Sequence, residues 1–220
     1  GYRQCMLVSY HLQGRVMSNR QSAEERKTQI VAVVLRLADE IGPDRLSTTD
    51  VARAIGLSQP AIFRHFPTKG ALWLAVAEDI AERLRKTWAE AEAHAVAPDA
   101  RTRALIEAQL TAISKTPALP SILFSRELQV DNPALRDVFR GLLASFHGRL
   151  VAAIRDLQAA GDLRRDISPE DVAILLTSMV QGVGIRWTLG ARGFPLVQEG
   201  LRLFDVQMAL MRAREGTPDE

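Results

Sequence analysis

The sequence predicts an all-α protein. Apolar residues recur at spacings of three and four along most of the 220-residue chain, and helix-capping residues stand before many of these segments. Sustained period-two alternation with turn dipeptides, which would indicate strands, is absent. About nine helices are expected: three in a small N-terminal domain and the others in a larger C-terminal one.

The composition is that of a globular protein, with 47% hydrophobic and 25% charged residues. No uninterrupted apolar run approaches the roughly 18 residues of a membrane helix, so no membrane partner is expected. Cys5 is the only cysteine, which leaves no intrachain disulfide and fits a reducing cytoplasm. The net charge of +2 is small, but residues 1–75 hold ten Lys and Arg against six Asp and Glu. The basic excess therefore lies in the N-terminal third.

The first predicted helix spans residues 23–41 and ends at Gly42-Pro43. Two short helices follow around a turn at Gly56. Ser47, with Asp50 three residues later, predicts a capping box for the first of them, and Ser58 is the expected cap of the second. A rigid pair of this kind, which presents polar and cationic groups on a short helix, suits the DNA major groove.

Three of the remaining helices are expected to begin after the capping residues Thr68, Asn132 and Ser168. The others are expected between the prolines and glycines that separate the apolar segments. Pro117 and Pro120 are expected to bracket a break. The predicted ranges are 68–95, 100–115, 121–130, 132–160, 169–189 and 196–212.

The second short helix and the residues after it carry a recognisable pattern: Leu57-Ser58-Gln59-Pro60-Ala61-Ile62-Phe63-Arg64-His65-Phe66-Pro67-Thr68-Lys69-Gly70-Ala71-Leu72. This pattern resembles the signature of the tetracycline-repressor (TetR) family of bacterial transcriptional regulators, over roughly residues 24–75. The resemblance implies a helix-turn-helix DNA-binding domain at 23–70 after an N-terminal arm at 1–22. It also implies an effector-binding and dimerisation domain at 71–220.

Phosphate contacts are expected from five residues of the DNA-binding domain. Ser47, Thr48 and Thr49 stand at a helix N-terminus, where hydroxyl and free N–H groups hold a phosphate well. Lys69 opens the fourth helix and can reach a second phosphate, and His65 can reach another.

Base contacts are expected from the second short helix. Gln59 can pair with adenine and Arg64 with guanine, and Ala61 is expected to face the base edges beside them. Pro60 and Phe63 complete the predicted surface. Phe63 stands where the family usually has Tyr, so it offers an apolar contact with a thymine methyl or a sugar instead of a hydrogen bond to phosphate.

The last two predicted helices are apolar on more than one side, which implies burial on two sides. One interpretation is a pair of central core helices. The other, which the resemblance also implies, is a homodimer interface built as a four-helix bundle. The residues assigned to that interface are Leu175, Met179, Gly182, Val183, Leu201, Phe204 and Met208.

The resemblance further implies a cavity for a small-molecule effector within helices four to eight. Plain core packing explains the same apolar residues, so polar insertions such as Arg126, His147 and Gln181 are the better clues. The candidate lining residues are Trp88, Leu110, Phe124, Arg126, Leu143, Phe146, His147, Gln181 and Trp187.

The sequence thus predicts a cytoplasmic, ligand-responsive transcriptional regulator. We expect a repressor that binds a near-palindromic double-stranded operator as a homodimer and is released by an effector. The alternative is a DNA-bound architectural, nucleoid or division factor that acts through protein contacts. An enzyme is disfavoured, since the chain has no Gly-rich phosphate loop and its four histidines lack metal-ligand spacing. No metal or cofactor is expected.

Overall fold

Helices make up most of residues 22–212, the part of the chain that the computed structural model describes. The all-α prediction is confirmed, and the predicted arm lies outside the described residues except for Ser22. In chain order the helices are α1 Ala23–Ile41, α2 Thr48–Ile55, α3 Gln59–His65, α4 Lys69–His94, α5 Pro98–Lys115, α6 Ala118–Phe124, α7 Arg126–Asp131, α8 Pro133–Ala160, α9 Pro169–Leu189 and α10 Leu196–Met211.

Most of the predicted helix starts are confirmed by hydrogen bonds. The side chains of Thr68, Asn132 and Ser168 each accept a backbone N–H from the first turn of α4, α8 and α9. Ser58 is an exception, because it stands at the N-cap of α3 with an extended backbone but its hydroxyl makes no capping hydrogen bond.

The segment predicted as one helix around 121–130 is two helices, so residues 22–212 hold ten helices where about nine were expected. The first helix, α6, already begins at Ala118. Pro120 is its third residue, where the backbone N–H would have no partner within the helix. Ser125 then separates α6 from α7, and its side chain caps α7 by accepting the N–H of Leu128 at 3.1 Å. The prediction that Pro117 and Pro120 bracket a break is therefore wrong.

The helices pack around one connected hydrophobic core that extends from Ile30 to Met211. The short helices α2 and α3 pack together and against α1, and α1 also contacts α4 and α6. The long helix α4 lies against α5 and α8, and α5, α8, α9 and α10 complete the bundle. Because α4 contacts both α1 and the bundle, it connects the two parts of the molecule.

Helices α10 and α5 approach each other closely at Gly200. A Cβ atom at Gly200 would lie 2.5 Å from Cδ1 and 2.8 Å from Cδ2 of the fully buried Leu110. Real carbon atoms do not approach this closely, so only glycine fits here without movement of Leu110.

Among the described helices, α9 is the one whose length and composition would allow it to cross a membrane. Core helices of globular proteins often share these properties. One face of α9, with Val172, Leu176 and Val180, is buried, and α9 packs against α8 and α10. We therefore describe α9 as a bundle helix.

Candidate DNA-binding surface and ligand cavity

The angle between α2 and α3 is fixed by the turn at Gly56. Gly56 has φ = 70°, in the left-handed region, and its N–H donates to the carbonyls of Ala52 and Arg53. The next N–H, that of Leu57, also donates to Ala52, at 2.9 Å. Leu57 packs against the core. The chain thus leaves α2 in a defined direction and begins α3 two residues later.

Helix α3 has two distinct faces. The outer face consists of two pairs of exposed residues one turn apart, Gln59 with Phe63 and Pro60 with Arg64. The inner face holds Ile62, which is fully buried, and Ala61, which is 7% exposed. Ala61 was expected at the base edges, but its position turns it towards the packing of α3 on α1 and α2. We therefore remove it from the candidate DNA-contacting residues.

The N-terminus of α2 is closed by the predicted capping box. The hydroxyl and the backbone N–H of Ser47 donate to the Asp50 carboxylate at 2.5 and 3.1 Å, and the hydroxyl accepts the Asp50 N–H at 3.2 Å. The Ser47 hydroxyl, followed by the Ser47 N–H and the charge of Arg53, lowers the pKa of Asp50 below its ordinary value. Asp50 therefore carries a negative charge at neutral pH, and the Ser47 hydroxyl is already engaged.

The other two hydroxyl groups at this helix end differ in their surroundings. Thr48 is 8% exposed, and its hydroxyl accepts a 2.8 Å hydrogen bond from the Gln59 amide. Thr49 is exposed, and its hydroxyl has no hydrogen-bond partner among the described residues. Three hydroxyl groups were predicted to contact phosphate. Among them, only the Thr49 hydroxyl is both exposed and free to bind one.

One exposed cation lies on the outer face of α3 and a second lies beside it, at the start of α4. Arg64 and Lys69 are exposed, and neither has an ion-pair partner within residues 22–212. Arg53, on α2, differs because its guanidinium lies 3.6 Å from the Asp50 carboxylate. His65 is half-buried at the end of α3. Unpaired positive charge is therefore concentrated where α3 meets α4.

Asn132 connects this surface to the bundle. Its side-chain oxygen accepts the N–H of Leu135 and caps α8, while its side-chain nitrogen donates a 2.8 Å hydrogen bond to the carbonyl of Gly70. Gly70 is the second residue of α4, directly after the surface just described. The start of α8 is thus hydrogen-bonded to the start of α4.

Two more polar contacts join the N-terminal helices to the bundle. The Ser125 hydroxyl, between α6 and α7, donates to the carboxylate of Asp44 in the α1–α2 loop. Arg192, in the α9–α10 loop, forms an ion pair with Asp39 of α1.

A cavity lies within the bundle, next to α6 and α8. Its volume is about 50 Å³. The Trp88 and Phe146 rings line it with centroids 4.8 Å apart, and the Trp88 indole N–H donates to Gln109 at 2.9 Å. The lining residues are Leu84, Trp88, Gln109, Ile113, Leu119, Pro120, Leu123, Phe124, Phe139, Leu142, Leu143, Phe146, Thr177, Val180, Gln181 and Gly184.

Five of the nine residues predicted for the cavity line it: Trp88, Phe124, Leu143, Phe146 and Gln181. Four do not. Leu110 packs under Gly200, and the Trp187 indole N–H donates to the Phe194 carbonyl. Arg126 is exposed on α7, and His147 is half-buried on α8 but outside the lining.

Comparison with known proteins agrees with this architecture. The profile described as "Bacterial regulatory proteins, tetR family" matches residues 30–76, and that of the "BetI-type transcriptional repressor, C-terminal" matches residues 98–202. Together they cover more than two thirds of the chain. The chain belongs to the TetR family.

Relatives within and around this family are distant in sequence. The nucleoid occlusion factor SlmA of Vibrio atlanticus is 24% identical over 166 residues, which is 76% of this chain and 85% of that protein. A transcriptional regulator from Saccharomonospora viridis, solved in complex with choline, is 22% identical with a TM-score of 0.77, over 87% of this chain and all of that one. A TetR transcription regulator from Haloarcula marismortui is 20% identical with a TM-score of 0.74, over 86% and 99% of the two chains. At these identities the two solved structures show a shared fold.

This TetR-family chain leaves an apolar surface uncovered on α9 and α10. Of the residues predicted for a dimer interface, Leu175 is 45% exposed. Gly182 is exposed too, and a Cβ atom added there would meet no neighbouring side chain within 4 Å. Met179, Leu201 and Met208 are half-buried. Val183 and Phe204 are 1% and 4% exposed, so they belong to the core of their own chain, and their assignment to the interface is wrong.

Other residues of this surface were not among the predicted interface residues. On α9 they follow the helical repeat on the side opposite the core, and on α10 they form a second stripe. Their exposed fractions reach 82% for Leu189 and 75% for Leu210. Together with the predicted Leu175 and Gly182, these exposed residues form a surface that we call the α9–α10 face: Ile174, Leu175, Gly182, Ile185, Leu189, Val206 and Leu210.

The cavity also has residues that the prediction missed, above all Phe139 and Leu142 of α8. Both follow the apolar repeat of α8, which looks the same for a core helix and for a helix beside a cavity. No signal in the sequence separates the two cases.

Proposed function

We propose that the protein is a homodimeric transcriptional repressor that leaves its operator when a small molecule enters the bundle cavity. The observation that carries this proposal is the Asn132 hydrogen bond to Gly70. It ties a helix that lines the cavity to the helix that begins directly after the candidate DNA-binding surface. Family membership supports the regulatory part of the proposal.

The DNA would be read by the outer face of α3. A helix of this size fits the major groove, where the Gln59 amide can pair with adenine and the Arg64 guanidinium with guanine. Each such bidentate pair contributes about 1–3 kcal/mol of discrimination. Lys69, Thr49 and His65 would contact phosphates around this helix, with Phe63 and Pro60 in apolar contact between them.

The operator would be occupied by two copies of the chain. The α9–α10 face groups exposed Ile, Leu and Val side chains on two neighbouring helices, and a second copy can cover it around a two-fold axis. Two-fold symmetry would place two α3 helices in successive major grooves, about 34 Å or a multiple of that apart. A near-palindromic operator follows from this arrangement.

Ligand entry would change the spacing of the two α3 helices through α6 and α8. Both helices line the cavity, and each is flanked by a residue that is hydrogen-bonded to the N-terminal part of the chain. Ser125, after α6, holds Asp44, and Asn132, before α8, holds Gly70. A ligand that pushes α6 and α8 outward therefore moves both anchor points of the DNA-binding helices.

The proposal assigns residues 23–70 to DNA binding and the rest of the chain to effector binding and dimerisation. It describes a regulator without catalytic activity that works in the cytoplasm beside its operator. Neither a metal nor a cofactor is part of it.

The proposal is tested by capture of sheared genomic DNA from the source organism with the purified full chain, followed by sequencing of the bound fragments. We expect one or a few sites with an inverted repeat, next to the gene itself or an operon. Absence of enrichment at moderate salt, with folded dimeric protein, would contradict the proposal. A matched control is the Arg64→Ala variant, which should lose the sequence preference but keep weak, salt-sensitive binding.

A second candidate function is that of a DNA-bound nucleoid or division factor that acts through protein contacts. The similarity to the nucleoid occlusion factor SlmA favours it. The capture experiment separates the two functions. Many dispersed sites and no small-molecule release would favour the nucleoid factor, whereas few sites and release by a ligand would favour the local repressor.

A further inference from the structure

The bundle cavity lies next to an outer recess on the protein surface. The recess has a volume of about 230 Å³ and shares five lining residues with the inner cavity. These shared residues are Leu123, Phe124, Phe139, Leu143 and Gln181. Movement of these shared side chains would join the two spaces, so that one molecule could occupy both.

The inner cavity suits an uncharged, apolar group. No charged side chain is among its lining residues, and its polar members are Gln109, Thr177 and Gln181. Gln109 is bonded to the Trp88 indole, and the Thr177 hydroxyl donates to the Ala173 carbonyl at 2.8 Å. Burial of an ion here would be costly, because nothing in the lining compensates its charge.

The outer recess has the opposite character. Arg136, Phe139, Arg140 and Leu143 recur at helical spacing and bring two guanidinium groups to one face of α8 beside two apolar side chains. Phe124 completes an apolar rim, being 50% exposed. The recess thus combines positive charge with apolar surface.

The two arginines differ in how far their charge is already used. Arg140 lies 3.1 Å from the carboxylate of Asp137, in a pair exposed to solvent. Arg136 has no ion pair or hydrogen bond from its guanidinium to any residue that the structure describes. No carboxylate lines the recess, so the Arg136 charge is available to a ligand.

We propose that the effector is an amphipathic anion whose apolar chain fills the inner cavity and whose acidic group is bound by Arg136, with Arg140 beside it. The guanidinium fork binds carboxylate or phosphate through two parallel hydrogen bonds. The ligand chemistry is that of an alkyl chain with an anionic head, either a carboxylate or a phosphate. This inference rests on the proposed function, in which the cavity receives the effector.

The test measures binding to the full-length protein without DNA, by calorimetry and by the fluorescence of its tryptophans. The probes carry eight-carbon chains and differ in the head: octanoate, octyl phosphate, octanol and octyltrimethylammonium. We expect the two anions to bind and octanol to bind more weakly. Octyltrimethylammonium should bind least, since Arg136 and Arg140 repel it. The anion that binds with the higher affinity shows whether the acidic group of the effector is a carboxylate or a phosphate.

The variant Arg136→Gln should weaken binding of the better anion by about 10- to 100-fold, the range for a hydrogen bond to a charged group, and leave octanol unchanged. Arg136→Lys should lose only part of that affinity. The matched control is Arg126→Gln, an exposed arginine on α7 outside the recess. It should have no effect on either probe.

Three results would overturn the inference: no binding of either anion, equal binding of octanol and octanoate, or an unchanged anion affinity in Arg136→Gln. Operator release is measured separately. An anion that binds through Arg136 without releasing operator DNA supports this site and contradicts the effector step of the proposed function. If octanol alone releases the DNA, and does so equally well from Arg136→Gln, the effector step of the proposed function is supported and the anion site is contradicted.

Discussion

The Gln59 amide donates a 2.8 Å hydrogen bond to the hydroxyl of Thr48, across the turn between α2 and α3. One amide hydrogen is used in this contact, which leaves the second hydrogen and the amide oxygen for another partner. Recognition of adenine needs one donor and one acceptor. We therefore propose that Thr48 positions Gln59 for a base contact and does not itself bind phosphate.

Replacement of Thr48 by Val should relax the base preference at one symmetric pair of operator positions, because the Gln59 amide is then free to rotate. Thr48→Ser keeps the hydroxyl and should retain the preference. The measurement is a binding assay over all four bases at each operator position. Equal weakening on every sequence would assign Thr48 to the phosphate contacts instead.

Lys69→Ala should weaken binding to all sequences alike and lower the slope of log affinity against log salt by about one per protomer. Lys86→Ala is the matched control, since it lies on the exposed side of the same helix, about 25 Å further along. Affinity is measured over a series of salt concentrations. A change in preference at a single base pair would refute the phosphate assignment of Lys69.

Asn132→Ser should separate ligand binding from DNA release. Serine can still cap α8, but its side chain is too short to hold the Gly70 carbonyl as Asn132 does at 2.8 Å. We expect near-normal affinities for operator and for ligand, measured separately, and a smaller effect of each on the other. If operator and effector still weaken each other's binding as in the unchanged protein, this hydrogen bond does not transmit the effect of the effector to the DNA-binding helices.

Gly182→Glu should abolish the homodimer and leave the fold intact. No neighbouring side chain among the described residues lies within 4 Å of the new Cβ, and Glu is a better helix former than Gly by about 1 kcal/mol. Gly148→Glu on α8, where the surroundings are equally open, is the control and should remain dimeric. Sedimentation of both variants decides the matter. A dimeric Gly182→Glu would mean that the α9–α10 face is not the interface.

Gly200→Ala should lower the free energy of unfolding, because its Cβ would collide with Leu110. Overpacking costs about 1–3 kcal/mol, and the better helix propensity of Ala offsets about 1 kcal/mol of it. Combining Gly200→Ala with Leu110→Ala should cost less than the sum of the single changes. Urea unfolding at one fixed protein concentration measures this. Additive losses would contradict the close contact.

The helix boundaries were largely predictable because capping is local. Ser47, Thr68 and Asn132 each satisfy an N–H three residues away, so the sequence contains both partners. The role of Ser125 was not predicted, because one of its partners is distant in the sequence. It ends one helix and caps the next while it donates to Asp44, a residue 81 positions away.

The faces of the helices were less predictable. Both α9 and α10 carry two apolar stripes, and the stripe that meets the core is chosen by contact with α5 and α8, not by hydrophobicity. Val183 and Phe204 were therefore assigned to a dimer interface although they lie in the core, whereas Leu189 and Leu210 were left out. The same limit explains why Phe139 was missed beside the cavity and Leu110 was included.

The narrowness of the inner cavity has a consequence for timing. The inner cavity measures only about 50 Å³, so entry of the proposed effector would require Trp88, Phe146 and their neighbours to move apart. Association that depends on such an opening is slower than diffusion, and departure needs the same opening. The response would then lag behind a sudden rise in effector and persist after its removal, so that the protein averages over brief fluctuations in supply.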